Sequence, residues 1–184
     1  MTELGTERLV LRHWRAADAE PFAAMNADRE VMRHFPGPLE RQDSDALLRR
    51  IASELDERDW GLWALEERGS GLLLGFTGLS PVPFPAPFAP GVEIGWRLVR
   101  SHWGRGLASE AARASLAHGF GELALAEIVS FTFAGNERSR AVMRRIGMTR
   151  DPAGDFEHPL IPEGHRLRPH VLYRLRRPGG GQRR

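Results

Sequence analysis

Apolar positions change their spacing several times along this chain, and each change predicts an element. Leu9, Val10 and Leu11 form an aliphatic run that reads as a first strand. Asp18 then stands as the N-cap of a helix from Ala19 to Asn26, and a further short helix is expected over Glu30 to His34, closed by Pro36-Gly-Pro38. Leu47, Leu48, Ile51 and Leu55 recur at helical spacing and mark a longer amphipathic helix that stops near Asp59. Trp60 to Glu66 and Leu72 to Leu79 cluster apolar residues on both sides of Arg68-Gly-Ser-Gly71, as a β-hairpin would.

Pro81, Pro83, Pro85, Pro87 and Pro90 then punctuate a segment carrying Phe84 and Phe88, which no interior strand tolerates. It reads as a loop: either a lid or dimer contact, or a stiff connector that rests two aromatics on the core. Strand-like runs follow at Val92 to Leu98 and Ile128 to Ala134, a helix at Glu137 to Ile146, and closing strands around Met148 to Phe156 and Arg168 to Arg176. The elements add up to a mixed α/β domain over residues 1–177. Residues 178–184, Pro-Gly-Gly-Gly-Gln-Arg-Arg, have nothing apolar to bury and are expected to be disordered.

Composition narrows the chemistry. The hydrophobic fraction of 41% in 184 residues suits one ordinary core. There is no cysteine, which excludes disulfides, thiolate metal sites and a cysteine nucleophile, and fits a reducing cytoplasm. All 26 basic residues are arginine, so no lysine Schiff base is available. The net charge of +2 is small. With no basic stripe interleaved with aromatics, no P-loop and no dinucleotide fingerprint, nucleic-acid and nucleotide binding are not expected. No apolar run approaches the roughly 20 residues of a membrane span, and a cytoplasmic location is expected.

The segment Trp103-Gly-Arg-Gly-Leu-Ala-Ser-Glu-Ala-Ala112 carries the strongest functional signal. A Gly-rich turn enters a helix-forming segment, and the first amides of such a helix point outward without partners, ready for diphosphate. Strand, WGRGLASEA turn, helix, strand and NERSRAVMRRIGM, in that order, resemble the GNAT acetyltransferase superfamily, and within it the branch of ribosomal-protein N-terminal (serine/alanine) acetyltransferases. The likeness runs from Thr6-Glu-Arg-Leu-Val-Leu-Arg12 to His170-Val-Leu-Tyr-Arg174.

That resemblance implies an α+β fold with a central, mostly antiparallel twisted sheet of about six to seven strands flanked by helices, its central strands splayed to hold CoA. It also implies direct transfer of an acetyl group from acetyl-CoA to an amine. Gly104, Arg105, Gly106, Leu107, Ala108 and Ser109 would hold the pyrophosphate, Trp96, Arg97 and Leu98 the pantetheine amides, and Asn136 the CoA. The family's usual Gln or Arg at the first turn position is Trp103 here, which removes one polar contact. Asn136 also reads plainly as the N-cap of the helix it precedes, and the two readings are compatible.

Ser139 matches the serine placed near the leaving sulfur in this branch and is the expected proton donor, the chain's only tyrosine being Tyr173 in the last strand. Glu93 is the expected base, with a salt bridge to an arginine such as Arg97 as the plainer reading of it. Asp155, Glu157, His158, His165 and His170 are rivals. Pro159 and Pro162 break any regular spacing among these histidines, so no metal is expected.

Proton cost narrows the acceptor. An α-amine of pKa about 7.7–8.0 costs roughly 1 kcal/mol to deprotonate at pH 7, and a lysine roughly 4.6 kcal/mol. A protein or peptide N-terminus is therefore expected, with a small-molecule amine such as a polyamine or amino-sugar antibiotic, or a non-catalytic acyl-CoA-binding module, as alternatives. Relatives are often homodimers, which makes a second copy an expected partner by analogy.

Overall fold

The computed structural model describes residues 2–177; the tail expected at 178–184 lies outside the described residues. In chain order it comprises β1 (Leu4–Gly5), β2 (Leu9–Arg12), α1 (Ala19–Ala27), α2 (Arg41–Arg58), β3 (Leu62–Glu67), β4 (Leu73–Pro81), β5 (Val92–Leu98), α3 (Leu107–Gly121), β6 (Glu127–Phe133), α4 (Glu137–Arg145), β7 (Thr149–Glu157) and β8 (Pro169–Arg176). The strands form one sheet in the order β1-β2-β3-β4-β5-β6-β8-β7. Every neighbouring pair is antiparallel except β5 and β6, and α3 supplies the crossover that a parallel pair requires. The expected mixed, mostly antiparallel architecture holds with eight strands. The sheet is longer than expected partly through β1, whose two residues pair Leu4 with Leu11 and are too few to show an alternation.

Side chains of β5 divide the molecule. Ile94, Trp96 and Leu98 turn to the face covered by α3, where Ile94 packs with Ala112 and Leu116, and Leu98 with Leu107 and Ala111. Glu93, Gly95 and Arg97 turn to the opposite face. There Phe76, directly across from Arg97 on β4, packs with Phe22 and Met25 of α1 and Ile51 of α2.

Two local expectations are corrected. Residues 29–34 form successive turns rather than a helix: Asp28 Oδ1 accepts the Glu30 amide at 2.7 Å, and a single turn ahead of Pro36 and Pro38 is too short to nucleate. Asp18 does not cap α1 with its side chain. Its carboxylate, 3% exposed, takes both terminal nitrogens of the equally buried Arg12 at 2.8 Å, and the Arg15 amide at 2.8 Å. A buried guanidinium outcompetes a helix amide for that carboxylate.

The proline segment follows the connector reading. β4 runs on to Pro81, which pairs with Val92 at the end of the ladder, and Phe84 and Phe88 are buried against Val129, Leu172, Phe131 and Phe156. Among the described residues no helix is long and apolar enough to cross a membrane.

Candidate active site

A continuous cleft runs from the turn before α3, past the junction of β5 and β6, to Phe131, Phe133, His158 and His170. At its first end Gly104 and Gly106 adopt φ of 77° and 80°, the left-handed region that side chains rarely enter, and so bend the chain into α3. The first α3 amide with a helical acceptor is that of Glu110, which donates to Gly106 at 3.0 Å. The amides of Arg105, Gly106, Leu107, Ala108 and Ser109 have no partner among the described residues. These consecutive free donors at a helix N-terminus fit an anionic diphosphate. Arg138, stacked on Trp103 of this turn, and Arg144 also line the cleft, and Arg105 is half exposed, tied at 3.3 Å to Glu67.

Trp103, where a polar residue is usual, has a different task. Its indole Nε1 donates to the Leu98 carbonyl at 2.8 Å, tying the turn to the end of β5, and its ring lies 4.6 Å beneath the Arg138 guanidinium.

In the middle of the cleft the sheet opens. β4 and β5 pair at seven positions, but β5 and β6 only at Glu93–Val129. Val99 donates to Leu74 and Val82 to Gly91, which fixes the alternation: odd-numbered residues of β5 bond to β4, and the main-chain groups of Ile94, Trp96 and Leu98 face β6. Ser130 Oγ caps the Ile94 carbonyl at 2.9 Å and the Trp103 indole caps that of Leu98. The N–H and C=O of Trp96 and the N–H of Leu98 open into the gap, where the ladder supplies no partner. The expected splay is therefore present, but only the main chain of Trp96 and Leu98 reaches it. Arg97 turns its side chain to the other face, where its Nη1 donates to Asn26 Oδ1 at 2.7 Å.

Glu93 lines the cleft with neither hydrogen bond nor ion pair among the described residues. The salt bridge to Arg97 expected on the plainer reading does not form. The carboxyl keeps an opening to the cleft, but dense surroundings strip its solvation and push its pKa up to about 7. Its rivals are engaged elsewhere or too weak. Asp155 pairs with Arg150 and accepts the Leu172 amide, and Glu157 pairs with Arg168 at 3.3 Å. His158 and His170 line the cleft with ring centroids 4.7 Å apart, and burial together with the neighbouring ring lowers His158 to about 4. His165 is not among the cleft residues.

Asn136 caps α4, its Oδ1 accepting the Ser139 amide at 3.2 Å and its Nδ2 donating to Thr132 Oγ1 at 3.0 Å. Ser139 lines the cleft and its hydroxyl has no partner among the described residues. Tyr173 is buried in the core, its hydroxyl 3.4 Å from Arg140 Nε, and does not reach the cleft. Behind Phe131, which lines the cleft, Phe84, Phe88 and Phe156 complete a cluster of four rings from three separate segments, edge-on or tilted at 5.1–5.9 Å between centroids; the sequence showed two of these rings resting on the core but not the partners they meet. Period-two runs announce strands, not which rings face one another across them.

Known proteins share this fold. Residues 8–149 match the family described as acetyltransferase (GNAT) domain. An uncharacterized protein of Bacillus subtilis strain 168, YkkB, is 33% identical over 150 residues, 80% of this chain and 85% of its own length. A GNAT-family acetyltransferase from Bacillus anthracis superposes with a TM-score of 0.78 at 26% identity, over 96% of this chain and 99% of that one. RimL, a ribosomal L7/L12 α-N-protein acetyltransferase solved with coenzyme A, shares the fold at a TM-score of 0.74 and 16% identity, covering 95% of this chain and 98% of its own.

Proposed function

Because this chain belongs to the GNAT acetyltransferase family and is an acetyl-CoA-dependent enzyme, we propose that its acceptor is the α-amine of a protein or peptide N-terminus, acetylated by direct attack within one domain spanning residues 1–177. When bound, acetyl-CoA supplies an acetyl group on a thioester whose sulfur leaves as a thiolate.

The observation that carries the acceptor class is the unpaired Glu93 carboxyl beside the sheet opening, with its pKa at about 7. Moving a proton to it from an α-amine of pKa about 8 costs roughly 1.4 kcal/mol, against roughly 4.6 kcal/mol from a lysine of pKa about 10.4. Glu93 takes the proton, directly or through water, as the amine nitrogen bonds to the acyl carbon. The free amides from Arg105 to Ser109 hold the diphosphate, and the open main-chain groups of Trp96 and Leu98 bind the amide-bearing arm and polarise the acyl oxygen. Asn136, by capping α4, positions Ser139, whose hydroxyl gives its proton to the leaving sulfur. Arg97, grouped with Trp96 and Leu98 on the sequence, serves the acceptor side instead.

Titrating acetyl-CoA into the protein by calorimetry and following thiol release with peptides, polyamines and aminoglycosides tests this reading. Micromolar binding with turnover chiefly on free peptide N-termini is expected. Preferential turnover on polyamines or aminoglycosides overturns the acceptor class, and binding without any turnover points to a CoA-binding module. Ser139→Ala is expected to lower kcat roughly 10-fold or more with acetyl-CoA affinity kept within about 2-fold. An equal loss in both reduces Ser139 to a binding contact.

A further inference from the structure

Resting on the proposed acetylation of an amine beside Glu93, we infer that the acceptor also carries a carboxylate or similar anion, held by Arg97 at the other end of the same strand face. Glu93, Gly95 and Arg97 are alternate residues of β5 and therefore share a face, with about 13 Å between the outer two α-carbons at the rise of a strand. Between them Gly95 forms a bare floor: a β-carbon there would meet nothing within 4 Å. All three line the cleft. They make a slot with an amine-proton acceptor at one end and a cation at the other.

Arg97 is built for a ligand rather than for the fold. Arg12, the arginine most deeply buried among the described residues, is matched to the carboxylates of Asp18 and Glu66. Arg97 has no carboxylate partner among the described residues; its protein hydrogen bond goes to the neutral Asn26, and its buried Nε has none. Loss of solvation alone lowers its pKa to about 10, so the guanidinium stays charged at neutral pH without an opposing charge. An uncompensated buried cation is a cost that an anionic ligand removes.

Its orientation is nonetheless fixed. Asn26 is fully buried and donates its Nδ2 to the equally buried Ser44 Oγ at 2.9 Å, which turns its Oδ1 toward Arg97. The Phe35 ring, 38% exposed on the segment between α1 and α2, lies 4.2 Å from the guanidinium carbon, and the Phe76 ring lies 5.3 Å from it. An aromatic clamp of this kind holds a guanidinium while leaving its edge free to donate. Neither Glu93 nor Arg97 shifts the other's pKa, so the two charges are well separated. A free α-amino acid, whose amine and carboxylate share one carbon, is too short to engage both. A peptide with an acidic side chain in its first three residues, or a linear ω-amino acid, is long enough.

The test compares matched acceptors in the wild type, Arg97→Gln and Arg97→Lys: Ser-Glu-Ala amide against Ser-Gln-Ala amide, and aminohexanoate against its primary amide. The wild type is expected to favour the carboxylate member of at least one pair by about 10- to 100-fold in kcat/KM, mostly through KM. That ratio should fall to near one in Arg97→Gln and be partly restored in Arg97→Lys, and the pair that shows it identifies peptide or small molecule as the source of the anion. Equal rates within both pairs in the wild type, or a preference that survives in Arg97→Gln, overturns the inference while acetyl transfer stands. If no amine is acetylated, the underlying reading fails, and calorimetry with the N-acetylated peptides and CoA decides the anion site. Tighter binding of the glutamate peptide in the wild type alone supports it, and equal binding of both peptides overturns it.

Discussion

Glu93→Gln is expected to lower kcat/KM for a free peptide N-terminus by about 100- to 10,000-fold, the range over which positioned general bases act. In the wild type the rate should climb with pH through about 7, where the Glu93 carboxyl ionises. The variant should lose that limb and keep only the rise set by the amine's own pKa. Stability should move the other way. The folded pKa lies above the ordinary value of 4.5, so between those two values the folded protein holds a proton that the unfolded chain has released. Glu93 therefore favours folding at acid pH, and that contribution is lost as pH rises through about 7. Glutamine does not ionise, so at pH 8 the variant should melt at the same temperature as the wild type or higher. A variant that is slow because it is unstable, or that retains the pH 7 limb, removes Glu93 from the reaction.

Asp18→Ala is expected to cost about 3–5 kcal/mol, because it strips a buried guanidinium of its bidentate partner and leaves Arg12 with Glu66 at 2.5 Å and the His13 carbonyl at 2.9 Å. For a protein of this size that corresponds to a fall in Tm of roughly 6–20 °C. Losing a helix cap typically costs about 0.5–2 kcal/mol, so the size of the effect separates the two roles. The double variant Arg12→Met with Asp18→Ala should recover part of the loss, since no uncompensated charge remains buried. A melt showing less than about 2 kcal/mol, additive with Arg12→Met, would return Asp18 to an ordinary helix start.

These two carboxylates mark where local sequence stops being informative. The turn from Gly104 to Gly106 and the cap at Asn136 were readable because a few adjacent residues decide them: left-handed glycines before a helix, or an asparagine three residues ahead of the amide it accepts. Asp18 looked equally like a cap, and what redirected it was Arg12 arriving on a neighbouring strand. Glu93 was placed on β5 correctly, but its lack of an ion pair depends on Arg97 choosing Asn26, a residue 71 positions away. The main strands and α2 followed from periodicity over many residues, and α3 from the glycine turn that enters it. β1 and the turns at 29–34 did not, since two paired residues or one unpropagated turn leave no period to detect. The pairing of β5 with β6 at a single position is likewise a tertiary fact: both runs read as ordinary strands, and the gap between them belongs to neither.

The bond from the Trp103 indole to the Leu98 carbonyl makes the cleft a gauge of length. One hydrogen bond joins the free helix amides to the strand whose open main-chain groups lie further along, so the spacing between the two sets is held by the protein and not negotiated by the ligand. On the proposed assignment of those two sets, a thioester on a shorter arm, or the nucleotide part alone, is expected to satisfy one set and forfeit the other. If the two sets hold the cofactor as proposed, acyl carriers are expected to be discriminated by their reach, before any contact with the acyl group itself.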